Sequence, residues 1–375
     1  MLNNSFLTTG VVCLSLACSV PSLAQQEEEE TPLEKMSGKQ IYVQFCARCH
    51  AEDGTGNVEP EVLAGLEAPP PDFTDGYFSS REKRKDWQAV VAHGGSVRGL
   101  SMSMPAWNDA LSENQIAETV EYVKSFVDQS LYPQGELNFF RGHVTTKAFV
   151  EQEALLIPSH EFKKQGGVTT HATKVVAYYA NRFGNRFQYE AKLPFRRISA
   201  GGSTATGIGD LELGLKYAFY DNYTSLTILT AGLEAALPTG SEAKGFGAGT
   251  VVAVPYFAAA QGIGDVVQLS TSVKVETPLD RAKGDPELRA SFLSMLTLSE
   301  SKQGLFPGIE VFFKKNLSAA EHSLSIIPQA YWGITPRGHL ALSLGIELPV
   351  AGTKPFDGRI VAFFLWDYVD GGLWW

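Results

Sequence analysis

The chain has 375 residues, enough for two ordinary domains, and a formal net charge of -10. Hydrophobic residues make up 44% and charged residues 19%, which is typical of a folded chain rather than a disordered one. The negative balance excludes a broad basic surface, so we expect no nucleic-acid partner.

Residues 1–24 have the pattern of a secretory signal peptide. The run from Phe6 to Val20 is uncharged and mainly apolar but too short for a convincing spanning helix, and Ser-Leu-Ala at 22–24 offers a cleavage site. A lipoprotein anchored through Cys18 is the alternative. Cleavage after Ala24 would remove two of the four cysteines.

Residues 25–36 include four consecutive glutamates and are expected to form a flexible acidic leader. Order should begin at Ser37, because Ser37 and Gln40 have the spacing of a capping box. Ile41 and Phe45 then follow at helical spacing, so the predicted helix continues into the next motif.

The most specific motif in the chain is Cys46-Ala-Arg-Cys49-His50. C-x-x-C-H is the attachment sequence of a c-type haem, in which two thiols bond the porphyrin and the histidine binds iron. A zinc site would need further Cys or His ligands at suitable spacing, and a redox dithiol usually belongs to a βαβ pattern. Neither context is present, so one covalent haem is predicted.

Beyond this motif the chain predicts loops and two more helices. A Gly-rich break follows at 53–56, and three prolines at 69–71 predict an extended loop that can lie along a haem edge. A helix is expected from Arg84 to His93, stopped by two glycines, and a last helix should open at the second capping box, Ser112.

A methionine between these two helices is the candidate for the second iron ligand. Met104 lies about fifty residues after His50, and a thioether there completes a six-coordinate His/Met haem. Met102 is the first alternative, and His93 the second, although a histidine at a helix C-terminus more often meets carbonyl groups or the helix dipole.

With these motifs, residues 37–130 resemble a class I cytochrome c domain, which is all-α. The resemblance implies that the helix carrying Gly38 and Tyr42 crosses the last helix at Tyr122, and that Met104 in Met-Pro-Ala-Trp is the axial methionine. A His/Met iron has no open position for substrate. An electron-transfer protein is therefore expected rather than a catalyst.

After a linker at 131–144, the helical period is replaced by strict alternation of polar and apolar residues, as in Arg186 to Leu193. About twelve strands of roughly ten to fourteen residues are predicted over 145–375, the first at 145–158. Strands this long favour a transmembrane antiparallel β-barrel, and a soluble β-sandwich is the alternative.

The predicted connections alternate in length. Those after odd strands are long, at 159–168, 197–207, 239–248 and 278–285, whereas those after even strands are short. A barrel with both termini in the periplasm should show this alternation. Charged residues on the polar face, including Glu190, Glu234, Glu276 and Glu347, predict a lumen lined with ion pairs or a route for a charged solute.

Residues 145–375 resemble the porin-like outer-membrane family that includes barrels linked to aromatic degradation. Residues 189–195 and 207–217 match best, and the aromatic residues at the C-terminus resemble the end of an outer-membrane barrel. The whole chain is similar in plan to fused cytochrome–porin proteins. The resemblance implies an outer-membrane barrel in lipid, with the cytochrome domain in the periplasm.

Two functions follow from this plan. The first is one-electron transfer at the outer membrane, with a periplasmic redox partner and, in a route across the membrane, an extracellular electron donor or acceptor. The second is a transporter or porin for small or apolar solutes with an accessory haem domain. A barrel of about twelve strands is too narrow to hold a folded cytochrome, which counts against a complete conduit.

Overall fold

The structure is a computed structural model that describes Met1, residues 31–298 and residues 302–373. The signal peptide expected at 1–24, apart from Met1, and the first part of the acidic leader lie outside the described residues. Helical elements occupy the chain from Leu33 to Leu137, and strands begin only at Glu153. The predicted order of a helical region followed by a β-region is confirmed.

The helical region opens with an almost continuous helical stretch that carries the C-x-x-C-H motif. Both predicted capping boxes are present, at Ser37 and at Ser112. None of the helices in the described ranges is long and apolar enough to cross a membrane. The helices are α1 (Gly38–Ile41), a π-helical stretch (Tyr42–Cys46), α2 (Ala47–His50), α3 (Pro60–Ala64), α4 (Gly76–Arg81), α5 (Arg84–His93) and α6 (Glu113–Lys124), with 3-10 turns at Leu33–Lys35, Gly95–Arg98, Gln129–Leu131 and Gly135–Leu137.

Helices α1 and α6 cross at close range because residue 38 is a glycine. A Cβ atom at Gly38 would lie 2.2 Å from the backbone carbon of Glu118. One turn later, the ring centroids of Tyr42 and Tyr122 are 5.3 Å apart. The crossing is therefore where the sequence predicted it, and it fixes the direction in which the C-x-x-C-H helix runs.

Thirteen strand segments of the described chain form one antiparallel sheet that closes on itself, since β1 pairs with β13 and β2 with β3. Segments β4 and β5 both pair with β3 and form one interrupted strand, so the barrel has twelve strands, as predicted. The segments are β1 (Glu153–Gln165), β2 (Val168–Phe183), β3 (Phe187–Ala200), β4 (Ser203–Ile208), β5 (Leu211–Asn222), β6 (Thr227–Leu237), β7 (Val252–Ile263), β8 (Val267–Pro278), β9 (Glu287–Leu296), β10 (Gly304–Asn316), β11 (His322–Gly333), β12 (Leu340–Gly352) and β13 (Gly358–Asp367).

Two connections are much shorter than predicted. β1 and β2 join through Gly166 and Gly167, and β3 and β4 through Gly201 and Gly202, all four with positive φ. The long connections expected at 159–168 and 197–207 are therefore wrong. Those expected near 239–248 and 278–285 are present, between β6 and β7 and between β8 and β9.

The two long connections were expected to begin at or shortly after a proline, Pro158 and Pro194, but both prolines lie inside strands. Pro194 lies inside β3, opposite the interruption between β4 and β5, where a missing N–H costs no ladder hydrogen bond. There the Gly209 amide donates to the Pro194 carbonyl at 2.7 Å instead. A proline inside a strand thus marks a gap in its neighbour.

The chain between the helical region and β1 runs inside the barrel. A strand was expected at 145–158, but β1 begins at Glu153, and residues 138–152 contain no strand. We call residues 138–152 the lumenal segment. The side chains of Phe149 and Val150 are buried among inward-facing residues of β5, β6 and β7, and this explains the apolar run that suggested a strand.

Side chains of the barrel wall satisfy the backbone of the lumenal segment. The Glu310 carboxylate on β10 accepts hydrogen bonds from the amides of His143, at 2.8 Å, and Thr145, at 2.9 Å. On the same strand, β10, the Phe306 ring packs against Phe140, with centroids 4.6 Å apart. Five further side chains bind the backbone of this segment: Gln188, Lys216, Thr230, Gln268 and Ser272.

The two faces of the barrel differ as the alternation predicted. Large apolar side chains point outward and are exposed, for example Leu213, Leu215, Leu344 and Ile346. The glutamates expected on the polar face lie in the lumen and form ion pairs. Lys192 lies 2.8 Å from Glu234, which is also 2.9 Å from Lys274, and Arg359 lies 2.8 Å from Glu347. The inner wall of the barrel therefore carries paired charges of both signs rather than charges of a single sign.

Candidate functional site

The residues of the C-x-x-C-H motif lie on one helical turn. Cys46 ends the π-helical stretch, and Cys49 and His50 lie on α2. Both thiols are free and half-buried. Burial, helped by nearby Cys49, raises the pKa of Cys46 to about 11, so the thiol is protonated at neutral pH. The chain then turns sharply at Ala51, whose carbonyl accepts from the Tyr42 hydroxyl at 2.7 Å.

The His50 imidazole is held as a neutral ring. Burial lowers its pKa to about 4. The Nδ1 atom is buried and has no hydrogen-bond partner among the described residues. A neutral imidazole with an unsatisfied nitrogen, beside two free thiols, fits the donor set that a covalently bound haem requires.

An aromatic side chain that sequence reasoning missed covers this histidine. The Phe73 ring stacks on His50 with centroids 4.9 Å apart, and Trp87 packs on Phe73 at 5.4 Å. The Phe73 amide donates to the Gly54 carbonyl at 2.7 Å, which brings the loop after the three prolines back to the motif. In the sequence, the position of Phe73 just after the three prolines at 69–71 could have indicated this contact.

The candidate methionine ligand lies on a loop anchored to the end of α5. The Met104 carbonyl accepts from the Gly95 amide at 3.1 Å. Gly94 has φ +80°, and a Cβ atom there would lie 2.9 Å from the same carbonyl oxygen, so the loop passes close to both glycines. The Trp107 ring packs on Phe45, with centroids 5.5 Å apart, which ties this loop to the helix of the C-x-x-C-H motif.

The three candidate second ligands differ in burial. Met104 is half-buried, whereas Met102 is 78% exposed and His93 is exposed at the end of α5. The exposed Met102 amide donates to the Glu67 carboxylate at 2.8 Å, which holds its backbone away from the core. Burial therefore favours Met104 as a residue of the haem pocket.

Histidines elsewhere include one close pair that the sequence did not reveal. His160 and His171, on β1 and β2, have ring nitrogens 3.3 Å apart because the hairpin places them on adjacent strands. Within the described ranges, no group of three or more His, Cys, Asp or Glu side chains could hold a metal ion.

The helical region rests on the barrel rim where β1 begins and β13 ends, which we call the near rim. Arg81 on α4 lies 2.6 Å from Asp370, and Glu82 lies 2.5 Å from Lys302. The Tyr77 hydroxyl donates to the Gly184 carbonyl at 3.0 Å. Arg98, Arg337 and Lys85 add further contacts between the two regions. The motif-bearing region is thus docked on the near rim and lies outside the barrel.

Several solved β-barrel structures are similar to part of this chain. An outer membrane channel from Pseudomonas putida F1 has 14% identity and a TM-score of 0.47, covering 61% of this chain and 99% of the channel. The KdgM porin has 12% identity and a TM-score of 0.37, covering 56% and 98%. The Pseudomonas putida toluene transporter TodX has 10% identity and a TM-score of 0.34, covering 57% and 77%.

Two family models match this chain, while no curated protein does. The model described as "Cytochrome C oxidase, cbb3-type, subunit III" matches residues 34–123, so the helical region is a cytochrome c domain, which implies binding of haem c. The model described as "Putative MetA-pathway of phenol degradation" matches residues 159–363, more than half of the chain. The chain therefore belongs to this MetA-pathway family of porin-like barrels and carries a cytochrome c domain in front of the barrel.

Proposed function

We propose that this protein transfers single electrons at the outer membrane, through one haem c in a class I cytochrome domain. Cys46 and Cys49 would bond the haem, and His50 and Met104 would bind its iron. The observation that carries the proposal is the buried, neutral His50 imidazole with an unsatisfied nitrogen, on the same helical turn as two free thiols. The cytochrome c family match supports it.

Bound haem supplies a one-electron iron couple. The protein's residues give that couple its surroundings. Phe73 covers His50, and Trp87 and Phe78 extend the aromatic wall behind it. Because His50 and Met104 would both bind the iron, it would have no place left for a substrate, so we propose an electron carrier rather than a catalyst.

We further propose that the barrel spans the outer membrane with the near rim in the periplasm. The outward apolar side chains support insertion in lipid. An exported chain with a signal peptide at 1–24, a leader at 25–36 and a cytochrome domain at 37–130 would present its haem to a periplasmic redox partner. The linker at 131–144 and the barrel at 145–375 complete this plan.

The position of the cytochrome domain bears on how electrons travel. The domain lies outside the near rim, and the lumenal segment occupies the barrel beneath it. We therefore propose electron exchange on the cytochrome side of the membrane. Exchange with an extracellular donor or acceptor would require another carrier across a hydrocarbon span of roughly 25 Å.

The experiment that tests the haem assignment uses the full-length protein purified in detergent. Intact mass should show one covalent haem, and the double variant Cys46→Ala/Cys49→Ala should show none. The variant Met104→Ala should lack the Met-to-iron absorption band and have a lower reduction potential. The matched control Met102→Ala should keep the band and the potential of the unmodified protein. Covalent haem in the double variant would overturn the attachment, and loss of the band in Met102→Ala would reassign the ligand.

A second candidate function is transport of small or apolar solutes, with the haem domain as an accessory. The membership of the barrel in a family of porin-like proteins favours it. Uptake of a labelled aromatic solute into cells with and without the protein distinguishes the two functions. Uptake that depends on the protein and is retained in the Cys46→Ala/Cys49→Ala variant would not involve the haem and would favour transport.

A further inference from the structure

The cytochrome domain holds the stretch of chain directly before the lumenal segment. The Arg84 amide on α5 donates to the Glu136 carboxylate at 2.8 Å, and the Arg84 guanidinium donates to the side chain of Gln134 at 2.7 Å. Between these partners, a Cβ atom at Gly135 would lie 2.3 Å from the Arg81 carbonyl oxygen. The chain therefore enters the barrel directly from the surface of α4 and α5.

Arg84 also joins the other parts of the docked assembly. Its guanidinium lies 2.6 Å from Glu121 on α6 and 4.5 Å from the ring centroid of Tyr223, in the connection between β5 and β6. One side chain thus links two helices, the start of the lumenal segment and the barrel rim. Undocking of the cytochrome domain would separate Arg84 from Tyr223 on the rim, while its contact with Glu121 inside the domain would remain.

Deeper in the lumen, side chains of the barrel wall hold the segment. The Lys216 ammonium group donates to the carbonyls of Lys147, at 2.9 Å, and Phe149, at 3.1 Å. At Gly142, a Cβ atom would lie 2.2 Å from a carboxylate oxygen of Glu310. The segment adds no strand to the sheet. It can therefore leave without breaking the barrel, and water can then solvate the charged groups it uncovers.

We propose that the docked cytochrome domain keeps the lumenal segment in the barrel and so gates the passage of small solutes and ions through the lumen. In the docked state the segment packs on both sides of the lumen, through Phe149 on one side and Phe140 on the other. When the domain leaves the near rim, Gln134 and Glu136 are no longer fixed over the mouth of the barrel, and the segment is free to leave the lumen. The gate is a further function beyond electron transfer, and it does not depend on the haem.

Ion conductance of the full-length protein in planar lipid bilayers, in potassium chloride, tests the gate. The unmodified protein should be closed for most of the recording. Arg84→Ala, which frees the start of the segment, and Glu310→Ala, which frees its middle, should each raise the open probability at least tenfold. Lys39→Ala, an exposed change in the same domain, is the matched control and should leave it unchanged.

A disulfide between the lumenal segment and the barrel wall, which can be formed and then reduced, completes the test. The Thr146 amide donates to the Ser272 hydroxyl at 3.1 Å, so these two positions are in contact and are chosen for a pair of cysteines. Thr146→Cys/Ser272→Cys added to Arg84→Ala should close the channel when oxidised and open it on reduction. If Arg84→Ala fails to fold, as judged by the gel mobility of unheated samples, Glu136→Gln serves as a milder second variant. The proposal would be overturned if the unmodified protein conducted throughout the recording, or if Arg84→Ala and Glu310→Ala stayed closed.

Discussion

The cytochrome domain and the barrel are stabilised in different ways. The cytochrome domain has small clusters of buried side chains around the C-x-x-C-H motif, and its buried His50 nitrogen has no partner in the described chain. The barrel satisfies its backbone through a closed ladder and its lumenal charges through ion pairs. We therefore expect the cytochrome domain to depend on its haem for stability, whereas the barrel satisfies its lumenal charges within its own chain.

The largest expected difference comes from removing the haem attachment. In Cys46→Ala/Cys49→Ala, we expect complete loss of covalent haem and strong destabilisation of the cytochrome domain, because the pocket around His50 loses the group it surrounds. The barrel should remain folded, since its hydrogen bonds do not involve that domain's core. Haem staining and the gel mobility of unheated samples measure the two effects. Unfolding of both regions together would show that the barrel depends on the cytochrome domain.

The second prediction concerns the helix crossing. Gly38→Ala places a Cβ atom 2.2 Å from the backbone of Glu118, so α1 and α6 must separate. We expect a loss of about 1–3 kcal/mol or more in the stability of the cytochrome domain. Thermal unfolding followed in the haem absorption band measures it.

Gly65→Ala is the matched control for this crossing. The nearest atom to a Cβ there is 3.5 Å away, and φ is -88°, so the change should stay within about 0.5 kcal/mol. Equal losses in the two variants would mean that the crossing does not stabilise the domain.

The third prediction breaks the interface between the two regions. Lys302 lies 2.5 Å from Glu82 and 3.3 Å from Asp86, and all three side chains are largely buried. Lys302→Met would leave two carboxylates without this cation, which should weaken docking by about 3–5 kcal/mol. Protease cleavage near residues 131–137 should become faster.

An exposed ion pair at the same interface provides the comparison. Lys85 lies 2.6 Å from Asp265, with side chains 58% and 74% exposed. Asp265→Asn should therefore change docking by no more than about 1 kcal/mol. If the two variants are cleaved at equal rates, burial does not decide which ion pairs hold the domain.

Much of the fold was predictable from the sequence because its determinants are local. Capping boxes at Ser37 and Ser112 marked helix starts, and alternation of side chains marked the strands. The lumenal segment was not predictable, because an apolar run such as 148–150 has the same composition whether it pairs in a sheet or packs inside a barrel. Its partners, including Glu310, lie far away in the chain and are brought near only by barrel closure.

The residues of the candidate site also differ in how far the sequence could predict their role. Cys46, Cys49 and His50 are adjacent in sequence, so their spacing alone predicted that they act together. Phe73 on His50 and the contacts of Arg84 with Gln134 and Glu136 depend on tertiary packing and were missed. Short-range patterns therefore predict the haem chemistry, whereas the way the two regions are joined requires the structure.

The smallest expected effect is a pH dependence confined to the cytochrome domain. Burial lowers the pKa of Lys124 from 10.5 to about 8, although its ammonium group donates to the carbonyls of Ser79 and Glu82. At a pH between these two pKa values, the Lys124 side chain is mostly protonated in the unfolded chain and mostly deprotonated in the folded one. The contribution of Lys124 to stability therefore rises with pH. Chemical unfolding at pH 7.5 to 10 should show this rise relative to Lys124→Met. Parallel curves for the two proteins would contradict it.

The claim that electrons are exchanged on one side of the barrel is tested most directly in proteoliposomes of known orientation. The protein is inserted with its cytochrome domain outward, a membrane-impermeant electron acceptor is trapped inside, and an impermeant reductant is added outside. We predict rapid reduction of the haem and no reduction of the trapped acceptor. Reduction of the acceptor at a rate that follows the amount of haem-loaded protein would contradict one-sided exchange and show that the barrel carries electrons across the membrane.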